Sequence, residues 1–172
     1  DPRIKGVALT GSADAGKSVA TRVGQHLKRS TMELGGSDAF IVLDDADLDQ
    51  SVTWAVWAKM NNTGQCCIAA KRLIVVEDLA DRFLLKFQAA MAALKPGDPM
   101  DKSTTLGPLS TEAALVTLLA QVDKAVANGG TLVMGGKRID RPGFFFQPTI
   151  LTNIEPENPA FRQEFFGPVA MF

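Results

Sequence analysis

Residues 4–28 read IKGVALTGSADAGKSVATRVGQHLK, and this stretch decides the fold class. Ile4–Leu9 is a short run of β-forming residues, and the following GSADAG is a glycine turn. From Lys17 to Lys28, small, apolar and basic residues alternate at helical spacing. The stretch therefore predicts a strand, a tight turn and a helix, the unit from which α/β proteins are built.

The same alternation continues along the chain. Apolar or β-branched runs predict further strands, and apolar residues at intervals of three or four predict helices between them. The predicted strands are a brief one in TMELGG (31–36), Ala39–Leu43, Arg72–Val76, Thr131–Met134 and Phe144–Ile150, and the predicted helices are Leu48–Met60, Leu79–Leu94 and Thr111–Ala127. We therefore expect an α/β fold with an open, mainly parallel sheet and flanking helices.

Composition narrows the class of partner. The chain has 172 residues, of which 46% are hydrophobic and 22% charged, and its formal net charge is −1. Nucleic acid and anionic lipid both require a concentrated basic face, so we expect neither, and small molecules are the expected partners. No apolar run approaches the ~20 residues that cross a bilayer, and the opening DPRIKGVALT lacks the arrangement of a signal peptide. We expect a cytoplasmic protein with no membrane contact.

Two adjacent cysteines, Cys66 and Cys67, lie in the segment NNTGQCCIAAKR (61–72). A disulfide between neighbours is strained, so the pair does not form an extracellular framework. Asn, Thr and Gly break the preceding helix, and a turn of this kind exposes a sulfur near backbone N–H groups, as a nucleophilic cysteine requires. The alternative is that both are small buried hydrophobes, the commonest role of an intracellular cysteine.

The glycine turn from Gly11 to Ser18 has three interpretations. Its sequence, GSADAGKS, fits the P-loop of nucleotide-binding proteins, and it lies between a predicted strand and helix as that motif requires. Alternatively, Gly11 and Gly16 only make a tight turn, because glycine tolerates positive φ. In the third interpretation, the turn and the helix start bind the pyrophosphate of a dinucleotide through backbone N–H groups and the helix dipole.

Four segments, taken in order, carry a family resemblance. They are ALTGSADAGKSVA (8–20), MELGG (32–36), NTGQCC with IAAKR (62–72) and EFFGPV (164–169). They resemble the cofactor-binding turn and helix, the general-base segment, the catalytic cysteine segment and the ribose-contacting segment of the aldehyde dehydrogenase superfamily. The separations between Glu33, Cys67 and Glu164 also match that family. The resemblance spans nearly the whole chain, and the P-loop interpretation becomes the second choice because it leaves three of the four segments unexplained.

The resemblance implies a role for each matching residue. It implies that Cys67 is the nucleophile, whereas Cys66 occupies a variable position. Glu33 matches the base that activates water. The cofactor, NAD or NADP, is expected to contact Gly11 and Ser12 at its pyrophosphate, Glu164 at the nicotinamide ribose, and Leu34 and Phe166 near the nicotinamide ring. No metal is expected.

The resemblance also implies a mechanism and a domain division. The Cys67 thiolate attacks an aldehyde, hydride passes to the nicotinamide, and water activated by Glu33 hydrolyses the resulting thioester to a carboxylic acid. MELGGSDAFIVLDDADLD and NTGQCCIAAKR look most like members that oxidise succinate semialdehyde. Residues 1–32 are expected to end the dinucleotide-binding domain, and residues 33–172 to form a truncated catalytic domain. We expect the chain to be a trimmed piece with little turnover alone, cut from a parent that forms a homo-oligomer.

Overall fold

The computed structural model describes all 172 residues and divides them into two compact units, Asp1–Gly36 and Ser37–Phe172.

The first unit is a parallel β-α-β arrangement. It consists of strand β1 (Gly6–Thr10), helix α1 (Ala13–Gln25) and strand β2 (Arg29–Glu33). The strands pair in parallel register, with Gly6 beside Arg29 and Thr10 beside Glu33. Helix α1 begins four residues earlier than Lys17, the predicted start, because the Ser12 side chain caps it by accepting a hydrogen bond from the backbone N–H of Ala15.

The second unit is built on a five-stranded sheet. Its strands are β3 (Asp38–Val42), β4 (Ala70–Val75), β5 (Thr131–Met134), β6 (Thr149–Thr152) and β7 (Val169–Met171), in the spatial order β3-β4-β7-β6-β5. Every neighbouring pair is parallel except β5 and β6, which are antiparallel at one edge. The predicted fold class, an open and mainly parallel α/β sheet with flanking helices, is confirmed.

Helices cover both faces of this sheet. They are α2 (Leu48–Met60), α3 (Glu77–Ala92) and α4 (Glu112–Ala127). Successive residues of a strand point to opposite faces, and in β7 Ala170 joins the core that includes α2 and α3, while Val169 and Met171 join the core that includes α4. None of the helices combines the length and the apolar surface that crossing a bilayer requires.

One predicted strand is misplaced. Phe144–Ile150 was expected to be extended throughout, whereas β6 begins only at Thr149. Pro148, just before it, has no N–H to donate to a strand ladder. Phe145 and Phe146 are buried from irregular backbone, with a single antiparallel bridge between Phe146 and Arg138. Their apolar character therefore reflects core packing and not a strand.

Candidate active site

A left-handed turn carries the chain from α2 to the two cysteines. Asn62, Thr63 and Gly64 have φ values of 51°, 59° and 74°, three consecutive residues in the region that favours glycine. A β-branched threonine is strained there, and such strain persists only where the surroundings fix the backbone. The Thr63 hydroxyl donates to the carbonyl of Gly107 at 3.2 Å, and a Cβ at Gly64 would overlap the carbonyl oxygen of Gly167. The turn is therefore held on both sides.

The cysteines follow in a second turn. The backbone N–H of Ala69 donates to the carbonyl of Cys66 at 3.1 Å, so Cys67 lies at the tip of the turn. Both thiols are free, and Cys67 is exposed whereas Cys66 is partly buried. The exposure of Cys67 disagrees with the alternative that both cysteines are buried hydrophobes. An exposed position, unlike a buried one, allows a cysteine to react with an electrophile.

Gln65 braces the start of this segment. Its side-chain oxygen accepts from the backbone N–H of Ser110 at 2.9 Å, and its amide nitrogen donates to the carbonyl of Asn62 at 3.1 Å. The glutamine of the GQCC motif thus ties the cysteine segment to the loop before α4. This role was not identified from the sequence.

A fully buried lysine lies beneath the cysteine turn. The ammonium of Lys71, at the start of β4, donates to the carbonyls of Cys67 at 2.6 Å, Cys66 at 3.0 Å and Ala69 at 3.2 Å. These bonds use all three of its donors. The same nitrogen lies 3.4 Å from Glu164 Oε1. Sequence reasoning missed Lys71, and the only signal for it was a lysine inside the apolar strand AKRLIV.

Lys59, near the end of α2, is a second buried lysine in the same region. Its ammonium donates to the carbonyl of Phe165 at 3.0 Å. Burial is the main cause that lowers the pKa of Lys59 to about 7, and the positive charge of Lys71 lowers it further. The negative charge of Glu164 acts in the opposite direction and raises this pKa. Two lysines and one carboxylate therefore join α2, β4 and the segment before β7.

The segment EFFGPV places two of the predicted cofactor residues. The Glu164 side chain keeps 22% of its surface exposed, and its Oε1 is buried beside Lys71 without a well-aligned hydrogen bond. Phe166 is 45% exposed and lines a cavity of about 1020 Å³ whose wall also includes Gln65 and Trp57. Cys67, Glu164 and Phe166 thus lie in one region of the second unit, with Lys71 linking the first two.

The remaining predicted residues lie in the first unit. Gly11 and Ser12 form the exposed turn between β1 and α1, and the backbone N–H of Gly11 donates to the carbonyl of Glu33 at 3.0 Å. Glu33 is exposed at the end of β2. Next to it, the Leu34 side chain packs on α1, where a Cβ at Gly16 would lie 2.7 Å from Leu34 Cδ2. The four predicted residues are therefore brought together around the adjacent C-terminal ends of β1 and β2.

The P-loop interpretation of Gly11 to Ser18 is wrong. That motif needs an open loop between its two glycines, but residues 13–18 form the first turns of α1. Lys17 is exposed on this helix and pairs with Asp14 at 3.4 Å. Gly16 is explained by its close contact with Leu34 and not by a phosphate.

Taken together, the fold and the site define an α/β protein that presents an exposed cysteine from a braced loop beside a mainly parallel sheet. The model of the aldehyde dehydrogenase family matches residues 1–172, and the chain belongs to that family. The resemblance identified from the four motifs is therefore confirmed.

Individual relatives agree with this assignment. The chain is 54% identical over 170 residues to a succinate-semialdehyde dehydrogenase [NADP(+)] of Deinococcus radiodurans, covering 99% of this chain and 36% of that protein. It is similar to the crystal structure of a succinic semialdehyde dehydrogenase from Streptococcus pyogenes in complex with NADP+, with 46% identity, a TM-score of 0.95, and coverage of 99% of this chain and 38% of that one. A betaine aldehyde dehydrogenase of Staphylococcus aureus in complex with NAD+ is 31% identical with a TM-score of 0.94, over 98% of this chain and 34% of that one. The chain thus spans little more than a third of these relatives.

Proposed function

We propose that these residues form part of an NAD(P)-dependent aldehyde dehydrogenase that oxidises succinate semialdehyde, with Cys67 as the nucleophile. The observation that carries the proposal is the exposed Cys67 at the tip of a turn whose backbone is fixed by a buried ammonium. The proposed substrate is supported by relatives named as succinate-semialdehyde dehydrogenases at 54% and 51% identity.

The Cys67 thiolate forms a carbon–sulfur bond to the aldehyde carbon, and the carbonyl oxygen takes the negative charge. When bound, the nicotinamide cofactor supplies the two-electron acceptor that converts this adduct into a thioester. Glu33 then removes a proton from water, and the resulting hydroxide attacks the thioester carbon. The carbon–sulfur bond breaks, the carboxylic acid leaves, and the Cys67 thiolate is regenerated.

The residues present fit a dinucleotide. Gly11 and Ser12 are exposed at the N-terminus of α1, where free backbone N–H groups and the helix dipole favour a pyrophosphate. Glu164 offers an acceptor to a ribose hydroxyl because its side chain is partly exposed, whereas its buried Oε1 faces Lys71. Leu34 and Phe166 would supply apolar surface near the nicotinamide ring.

The wider organisation is part of the same proposal. Residues 1–32 would complete a dinucleotide-binding domain, and residues 33–172 would belong to a catalytic domain. The chain matches only 36% of the Deinococcus relative, so we assign the activity to the complete gene product that contains these residues. We place that product in the cytoplasm as a homo-oligomer acting on a small aldehyde.

The two cysteines provide a matched experiment on the complete gene product. Cys67→Ser should lower succinate-semialdehyde-dependent NADP+ reduction by at least about 10³-fold, because a serine hydroxyl lacks the reactivity of a thiolate. Cys66→Ser should stay within a few-fold of the unmodified enzyme. Initial rates at saturating substrate measure both effects, and circular dichroism checks the folding of both variants.

Glu33→Gln separates the two halves of the reaction in the same assay. Its expected result is a burst of about one reduced cofactor per active site followed by slow turnover, because an amide cannot deprotonate the water that cleaves the thioester. Equal losses in Cys66→Ser and Cys67→Ser, or full activity in Cys67→Ser, would remove the basis of the proposal.

A further inference from the structure

Lys71 holds the cysteine turn from below. Its side chain is 0% exposed, and its ammonium contacts the carbonyls of Cys66, Cys67 and Ala69 within 3.2 Å. Three carbonyl oxygens from a four-residue segment converge on one nitrogen, so a single group holds the backbone before and after Cys67. Cys67 is exposed, and the position of its side chain depends on that backbone.

Packing alone does not explain a charge at this position. Removing an ammonium from water is unfavourable, and an apolar side chain of similar volume is often equally stable or more so at such a position. Neighbouring buried positions of β4 hold Ala70 and Leu73, which pack without that cost. The distinguishing property of Lys71 is its three donors, together with a positive charge 3.4 Å from Glu164 Oε1.

We propose that Lys71 is a positioning residue, which holds the Cys67 turn and the Glu164 carboxylate in one fixed arrangement. One ammonium contacts the backbone of the proposed nucleophile and the carboxylate proposed to bind the ribose, so it sets the place of the reacting sulfur relative to the cofactor. The inference rests on the proposed function for its catalytic meaning. The claim that Lys71 holds the cysteine turn needs only the three hydrogen bonds and does not depend on the proposed function.

Lys59 is the matched control for this role. It is also 0% exposed and also donates to a backbone carbonyl, that of Phe165, but none of its hydrogen bonds reaches the cysteine turn. Replacing either lysine by methionine removes one buried amino group and keeps a long unbranched side chain. A difference between the two variants at Cys67 therefore reports on the turn and not on the loss of a buried amino group.

The test uses Lys71→Met and Lys59→Met in the complete gene product. Limiting iodoacetamide is applied well below the melting temperature, and fragmentation of the labelled peptide gives the rate at Cys67 relative to Cys66. In Lys71→Met this ratio should fall by about 10-fold, and kcat for the aldehyde by about 10²-fold, the scale expected for a misplaced reacting atom. The KM for NADP+ should also rise several-fold, because Glu164 loses its neighbour. Lys59→Met should keep the ratio of the unmodified protein.

A second variant keeps the inference testable if Lys71→Met does not fold. Lys71→Gln retains an amide that can donate two hydrogen bonds, so its labelling ratio should lie between those of the unmodified protein and a fully released turn. A folded Lys71 variant with the unmodified labelling ratio and kcat would overturn the inference. If the unmodified enzyme oxidises no aldehyde while the ratio still depends on Lys71, the proposed function fails and the control of the turn stands.

Discussion

Gly64 lies where the chain reverses direction before the cysteines, and no other residue type fits there. Its φ of +74° strains any L side chain, and a Cβ would overlap the carbonyl oxygen of Gly167. We expect Gly64→Ala to lower the free energy of unfolding by about 3 kcal/mol or more, because backbone strain and steric overlap add. Chemical denaturation of the complete gene product followed by circular dichroism measures the loss.

Gly24 is the control for that substitution. It lies in α1 outside the left-handed region, and a Cβ at this position would meet no heavy atom within 4 Å. Gly24→Ala should therefore stabilise the protein by up to about 1 kcal/mol through helix propensity. Similar destabilisation by both alanines would mean that the turn at Gly64 is not unusually constrained.

Single residues also show what the sequence could and could not reveal about the site. Cys67, Glu33 and Glu164 could be selected because each lies in a short motif whose order and spacing match a family. Lys59 and Lys71 could not, because lysine is ordinarily a surface residue. Their burial depends on partners far along the chain, such as the Phe165 carbonyl and the Glu164 carboxylate. Only the folded sheet brings these groups together.

At the scale of helices, α1 and α4 have equivalent N-caps with different neighbours. Ser12 accepts from the backbone N–H of Ala15 at 3.2 Å, and Thr111 accepts from that of Ala114 at 3.1 Å. Ser12→Ala and Thr111→Ala should each lower the free energy of unfolding by about 1 kcal/mol. Only Ser12→Ala should also weaken NADP+ binding, because the proposed pyrophosphate site is at its helix.

Isothermal titration with NADP+ in the absence of aldehyde distinguishes these outcomes. We expect Kd to rise by at least about threefold in Ser12→Ala and to stay unchanged in Thr111→Ala. An equal Kd in both variants would place the pyrophosphate away from the turn at Ser12.

Element boundaries depended on local chemistry that the hydrophobic pattern does not record. The apolar spacing located α1, but its first residue is set by the Ser12 cap, which a search for apolar periodicity passes over. The misplaced start of β6 has a related cause. Phe145 and Phe146 are as apolar as strand residues, yet they fill the core from a loop, and Pro148 delays the ladder.

At the scale of the whole molecule, the alternation of strands and helices was sufficient to predict the sheet and its mainly parallel sense. Parallel neighbours require crossover segments, and helices are the usual ones. The antiparallel edge strand β5 follows from the loop between β5 and β6, which contains no helix, so the chain returns in the opposite direction. The spatial order of the strands was not predicted, because it depends on which long-range pairs form.

The pH dependence of stability provides a test of the buried charges in the intact molecule. The pKa of Lys59 falls from 10.5 to about 7 on folding. Between these values the unfolded chain holds a proton that the folded chain has released, so the free energy of unfolding rises with pH across this window and levels off outside it. Lys59→Met should remove this contribution, on the order of a few kcal/mol, and should make the protein more stable than the unmodified one near pH 7.

Chemical denaturation at several pH values between about 6.5 and 10.5 gives the free energy of unfolding of Lys59→Met and of the unmodified protein. The difference between the two proteins isolates Lys59, because both contain the same thiols. Lys102→Met, which removes an exposed ammonium, should leave the profile unchanged. If Lys59→Met and the unmodified protein give parallel profiles, Lys59 stays protonated on folding. In that case, the attraction between Glu164 and the Lys59 ammonium would outweigh the unfavourable effects of burial and of the neighbouring Lys71.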